Sequence, residues 1–159
     1  MKIFLIRHAH ALSGKPDELR PLSSKGKKQI ARLSPSLVKR IAREVSVLEH
    51  SSLQRSGQSA QLLKKHFRLK QPLRLISGIS PESSAVKTAQ VLSRSRRSRC
   101  LVGHNPHLAR LVGLLLGLKQ GEGGIYFRKA AIVALERTAV PQSRHPWGSW
   151  RLLWMSVPD

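Results

Sequence analysis

"RCLVGHNPHLARLVGLLLGL" (residues 99–118) reads as a strand, a turn and a helix in direct succession. The run 99–104 is continuously apolar in its middle, as in a strand buried on both faces. Asn105 and Pro106 form an N-cap and N1 pair leading into an apolar helix over 107–118. The same alternation extends towards both ends of the chain. Residues 3–6 are a β-rich apolar run. Ser23 can cap a helix with apolar positions at Ile30, Leu33, Leu37, Val38 and Ile41, which Pro35 kinks or splits with Ser34 capping a second piece. Residues 45–50 read as a second strand, followed by a helix over 52–66 that Ser51 or Ser52 can cap. Residues 72–76 read as a third strand, and a helix over 81–92 opens on Pro81 and Glu82. Beyond a loop at 120–124, residues 130–136 and 149–157 read as two more strands, joined by a segment 138–148 expected to be mobile.

Strands alternating with helices predict a three-layer α/β/α sandwich around a mainly parallel sheet. The final pair can form a hairpin, giving an antiparallel edge. With 159 residues and no dividing linker, a single domain over 1–159 is expected. Cys100 is the one cysteine, so no internal disulfide forms, and its apolar surroundings suit a structural thiol. The longest apolar stretch is far below the roughly 20 residues of a membrane span, and the start lacks a cleavable leader pattern, so a soluble cytoplasmic protein is expected.

The charge is extreme. Lys and Arg number 29 against 8 Asp and Glu, a formal net charge of +21, which implies an anionic partner. The clusters at 25–28, 39–43, 64–70 and 94–99 are spread along the chain without interleaved aromatics. They therefore suit solvated faces better than nucleic-acid readout or membrane contact.

In open α/β sheets ligands bind beyond the carboxyl ends of the strands. Arg7 and His8 follow the first strand, Arg55 falls in the first turn of the helix after the second, and His104 ends the fourth. Two guanidinium forks and two imidazoles near helix N-termini suit a phosphoryl group. A neutral histidine among them can attack phosphorus.

"RHAHA" (7–11), "RPLSSKGKKQ" (20–29), "SSLQRSGQSA" (51–60) and "LVGHNP" (101–106) resemble the histidine phosphatase superfamily, most closely its short bacterial SixA-like phosphohistidine phosphatases. The resemblance implies a phosphoglycerate mutase-like fold. It implies His8 as a nucleophile that is transiently phosphorylated, with Arg7, Arg55 and His104 holding the phosphoryl group. Arg20 and Asn105 are further candidates for substrate binding, and Ser23 and Gly26 match structural positions. No metal or cofactor is implied. The expected partner is a phosphohistidine-bearing protein or peptide, with a phosphate or sulfate ion able to occupy the pocket.

Three departures stand out. "SGISP" (77–81) places Gly78 where relatives often carry an acid, leaving Glu82, and more distantly Asp17 or Glu18, as candidate proton donors. Ser52 replaces a common proline, and His10 is unusual at its position. His10 and His107 have two readings, at the pocket mouth or solvated on the surface, and the solvated one is favoured for both. A site poor in acids favours phosphohistidine, whose imidazole can leave neutral, over an ester, whose alkoxide needs a proton. The alternatives are a small-molecule phosphomonoesterase and a non-catalytic polyanion or nucleic-acid binding module.

Overall fold

The computed structural model describes residues 1–118 and 125–158, so the expected loop at 120–124 lies outside the described residues. Six strands form one sheet in the order β3-β2-β4-β1-β5-β6. They are β1 (Lys2–Arg7), β2 (Leu48–His50), β3 (Leu73–Leu75), β4 (Arg99–Gly103), β5 (Ile132–Ala139) and β6 (Ser149–Ser156). Strands β3, β2, β4 and β1 are mutually parallel. β5 runs against β1 and pairs antiparallel with β6. The expected hairpin therefore forms one side of the sheet, and its reversed strand is β5, second from the edge.

The helices are α1 (Ser24–Ala31), α2 (Pro35–Glu44), α3 (Gln54–His66), α4 (Ala85–Arg94) and α5 (His107–Leu115). Alternation along β1 sorts them into layers. Phe4 and Ile6 face one cluster with Ile30, Leu33, Val38, Ile41, Ala60 and Leu63, contributed by α1 to α3 and the turn after α1. Ile3 and Leu5 face the other, with Ala89, Leu92, Leu108, Leu111, Val112 and Leu115 from α4 and α5. Pro35 splits the early helical pattern in two, because its ring suits N1 of a new helix and cannot continue the old one.

Several boundaries move. Strand β2 starts only at Leu48, after α2 ends at Glu44. Pro81 and Glu82 lie in a turn before α4, which begins at Ala85 with the Ser84 hydroxyl accepting the Lys87 N–H. Helix α5 begins at His107 behind Pro106 with no side-chain cap. It ends at Leu115, before Gly117 takes the left-handed φ of 68° that glycine tolerates. Part of the expected connection at 138–148 is strand, and Gln142 and His145 form a bridge by exchanging two backbone hydrogen bonds of 3.0 Å. Cys100 is fully buried, and burial pushes its thiol up to about 12, as a structural thiol requires. Among the described residues no helix is long and apolar enough to cross a membrane.

Glu49, only 2% exposed on β2, is the one buried acid among the described residues. Arg99 on β4 holds both of its oxygens, at 2.7 and 2.8 Å. This ion pair satisfies a charge that burial would otherwise make costly.

Candidate active site

The parallel register places the two histidines. Arg7 on β1 pairs with Gly103 on β4, so the next residues along the strands, His8 and His104, are neighbours at the same rim. The His8 N–H donates to the Gly103 carbonyl at 2.9 Å, and the ring centroids lie 4.8 Å apart. Both rings are buried.

His8 Nδ1 lies 2.7 Å from the Ala9 carbonyl oxygen. A carbonyl oxygen only accepts, so Nδ1 carries the proton and Nε2 carries the lone pair. Lys129 Nζ, 3.4 Å from Nε2, donates to that lone pair. The unprotonated ring nitrogen is thereby defined, and a cation stands in front of it.

Arg55, in the first turn of α3, is 5% exposed. It donates to the Asp17 backbone carbonyl at 2.7 Å and to the Asp17 carboxylate at 2.9 Å. A single hydroxyl fixes α3 against the chain after β1: Ser59 donates to the Arg55 carbonyl at 2.7 Å and accepts the Ala9 N–H at 3.0 Å. Arg7 donates to the Phe127 carbonyl at 2.6 Å. His104 Nε2 is 2.5 Å from the Ser51 hydroxyl, which also accepts the Leu53 N–H. Arg7 Nε and His104 Nδ1 are buried and find no hydrogen-bond partner among the described residues. Such orphans are costly inside a protein, and an oxyanion would satisfy both.

The structure thus brings Arg7, His8, Arg55 and His104 to one rim of the sheet. Other expectations change. Arg20 is spent on the Leu12 carbonyl and on Asp17, at 2.7 and 2.8 Å. Asn105 does not cap α5; its amide donates to the Phe127 carbonyl at 3.2 Å. Ser51 holds His104 and does not cap α3, which has no side-chain cap. His107 is fully buried, not solvated, with Nδ1 on the Ser83 carbonyl and Nε2 near Thr88 Oγ1, because α4 packs over the start of α5. His10 is half-buried, its Nδ1 2.8 Å from the Ser23 hydroxyl.

The proton-donor candidates fare poorly. Glu82 is exposed, and no hydrogen bond or ion pair among the described residues ties it to this rim. Asp17 is close enough, but hydrogen bonds from Arg20 and Arg55 hold its carboxyl below the usual range, so it is ionised at neutral pH. Gly78 adopts a φ of 78°, where a glutamate would be strained.

Sequence reasoning missed Lys129, Ser51 and the pairing role of Asp17. Lys129 reaches the site because Ala130, just before β5, turns the chain with a φ of 60°. That strain is held by the Ala130 N–H, which bonds the carbonyls of Arg7 and His8 at 3.1 and 3.3 Å. Burial first, then Arg7, Arg55 and Arg20, lower Lys129 to about 8.

Gly26 permits the last close approach. The Ser23 hydroxyl caps α1 by accepting the Gly26 N–H at 3.1 Å, and a Cβ at Gly26 would run into the His10 carbonyl oxygen. Gly26→Ala should therefore push α1 off the 8–10 loop and cost about 1–3 kcal/mol despite alanine's better helix propensity. Urea unfolding would measure this, and an alanine variant as stable as the parent would contradict it.

Both site histidines resist protonation. Burial first, then Lys129 and His104, pull His8 down to about 2. Burial first, then Arg55 and Lys129, pull His104 to about 3. In the unfolded chain both titrate near 6.5. Between about 6.5 and 3 the unfolded state therefore binds protons that the folded state refuses. Stability falls as pH drops through that window, by up to ~1.4 kcal/mol per unit for each ring. Thermal melts at pH 7, 6 and 5 should show a steepening loss, and a flat profile would contradict the neutral pair.

No family model and no curated protein matches the chain. Solved structures do. The histidine phosphatase SixA bound to tungstate superposes with a TM-score of 0.78 at 22% identity, covering 99% of this chain and 97% of that one. The fold is phosphoglycerate mutase-like. A protein assigned as phosphohistidine phosphatase SixA, from Agrobacterium tumefaciens, gives 0.76 at 19% identity, with 99% and 97% covered. A mycobacterial glucosyl-3-phosphoglycerate phosphatase in complex with VO3 gives 0.68 at 16% identity, with 99% and 98% covered.

Proposed function

We propose that the chain is a histidine phosphatase that removes the phosphoryl group from phosphohistidine on a protein or peptide through a phospho-His8 intermediate. The observation that carries this reading is the hydrogen bond from His8 Nδ1 to the Ala9 carbonyl. It leaves Nε2 nucleophilic among Lys129, Arg7 and Arg55. The oxyanions named with two structural neighbours, tungstate and VO3, agree with it.

In the first step His8 Nε2 attacks phosphorus while the substrate's P–N bond breaks. The equatorial oxygens lie against the orphaned donors of Arg7 and His104 and the remaining N–H groups of Arg55. One P–N bond replaces another, and the departing imidazole leaves neutral when its second nitrogen is protonated. Water then attacks phospho-His8, the P–N bond breaks, and Nε2 recovers its lone pair. Because the described rim offers no protonated carboxyl, a leaving group that needs no proton from the enzyme is favoured.

The test is rapid quench of the wild-type protein with labelled phosphohistidine peptide. Acid-labile, alkali-stable label should appear on the protein within one turnover. Turnover without any such label would refute the covalent step. Salt-sensitive nucleic-acid binding with no turnover would favour a binding module instead.

A further inference from the structure

We propose that the cleft beside His8 is a subsite for a chain of condensed phosphates, so that the enzyme also removes the terminal phosphate of a short oligophosphate. This inference rests on the covalent His8 reading and adds a substrate class to it.

A cleft of about 740 Å³ opens from the candidate site, with Arg7 and Lys129 belonging to both. Lys25, Lys28, Arg32 and Arg128 line its continuation. Lys25, Lys28 and Arg32 are spaced i, i+3, i+7, so α1 and its C-cap turn one cationic face to the cleft. Among the described residues no carboxylate lines it. The side chains of Lys25, Lys28 and Arg128 make no hydrogen bond or ion pair with the described residues.

The placement is unfavourable without a ligand. Lys25 sits in the first turn of α1, at the positive end of its dipole, with no acid there to offset it. Like charges gathered in a concave site repel, and Arg7, which lines the cleft, adds to burial in lowering the proton affinity of Lys129. Among the described residues the lining also lacks an apolar pocket: Tyr126 is 78% exposed, and Pro158 is the one other ring there outside the histidine. Peptide recognition ordinarily anchors an apolar or aromatic side chain. A phosphate chain instead offers a charge at every unit and nothing apolar, which matches the cleft.

Its chemistry also suits a site without a proton donor. His8 Nε2 attacks the terminal phosphorus, the P–N bond forms, and the anhydride P–O bond breaks. The electron pair departs on the oxygen of the shortened chain, where the cleft cations stabilise it in place of a proton. Water then cleaves phospho-His8 and supplies the proton carried by the released phosphate.

The experiment measures phosphate release from tripolyphosphate, p-nitrophenyl phosphate and an acidic phosphohistidine peptide, using wild type and the triple variant Lys25→Gln, Lys28→Gln, Arg128→Gln. All three positions are exposed, and a thermal melt checks folding. The expected result is turnover of tripolyphosphate by wild type. In the variant its kcat/KM should fall at least about tenfold further than that for p-nitrophenyl phosphate. Wild type that cleaves p-nitrophenyl phosphate but not tripolyphosphate would overturn the inference and leave the phosphatase reading standing. Failure on all three substrates would overturn both. A selective loss confined to the acidic peptide would overturn it in favour of a protein-docking cleft.

Discussion

His8→Asn yields a protein whose turnover drops by about 10⁴-fold or more, the scale on which removing a catalytic nucleophile acts. Asparagine has no ring nitrogen at the attack position, so neither the P–N bond nor the second step can form. The four-residue site remains otherwise intact, because the His8 main chain is held by Gly103 and Ala130 and not by its side chain. A second readout separates loss of the nucleophile from loss of the fold. The buried ring lowers acid stability because the folded state refuses its proton, so removing it should flatten the fall in melting temperature between pH 7 and pH 5. Steady-state assays together with melts check both arms. A variant with more than a few per cent of wild-type activity would refute the nucleophile assignment, and one equally acid-sensitive would refute the account of the ring's burial.

The architecture was legible where the chain repeats one physical pattern. Continuous apolar runs at 3–6 and 100–103 suit strands covered on both sides, and the residues that end them are carried to one rim. The placing of Arg7, His8, Arg55 and His104 at one rim thus follows from topology and motif together. What escaped notice depends on partners distant in sequence. Lys129 is one of 29 cations, and nothing in its neighbours marks it. Its role comes from the positive φ at Ala130 and from the pairing of β5 with β1. Ser51 reads locally as a helix cap, yet the adjacency of β2 and β4 gives its hydroxyl to His104. His107 reads as solvated in the sequence, and only the packing of α4 over the start of α5 buries it. Asp17 reads in the sequence as a distant acid, and only the folded loop shows it gripping Arg55.

That grip makes Arg55 the most informative residue after His8. Arg55→Ala should lower kcat/KM by about 10³-fold, the upper end for loss of one preorganised oxyanion donor, because two functions disappear together. The guanidinium has five N–H donors, two of which already serve the Asp17 carbonyl and carboxylate. The others remain for a phosphoryl oxygen, so one planar group can hold the loop with one edge and the substrate with another. Lysine cannot divide its charge in this way, and Arg55→Lys should recover less than about a tenth of the lost activity. Asp17→Asn, which keeps an oxygen to accept from Arg55, should cost far less than loss of the arginine. The double variant Asp17→Asn, Arg55→Ala should be no worse than Arg55→Ala alone, since Asp17 acts through the arginine. Full activity in Arg55→Lys, or additive losses in the double variant, would show that the fork does not join the loop to the phosphoryl group and that the cations around His8 act independently.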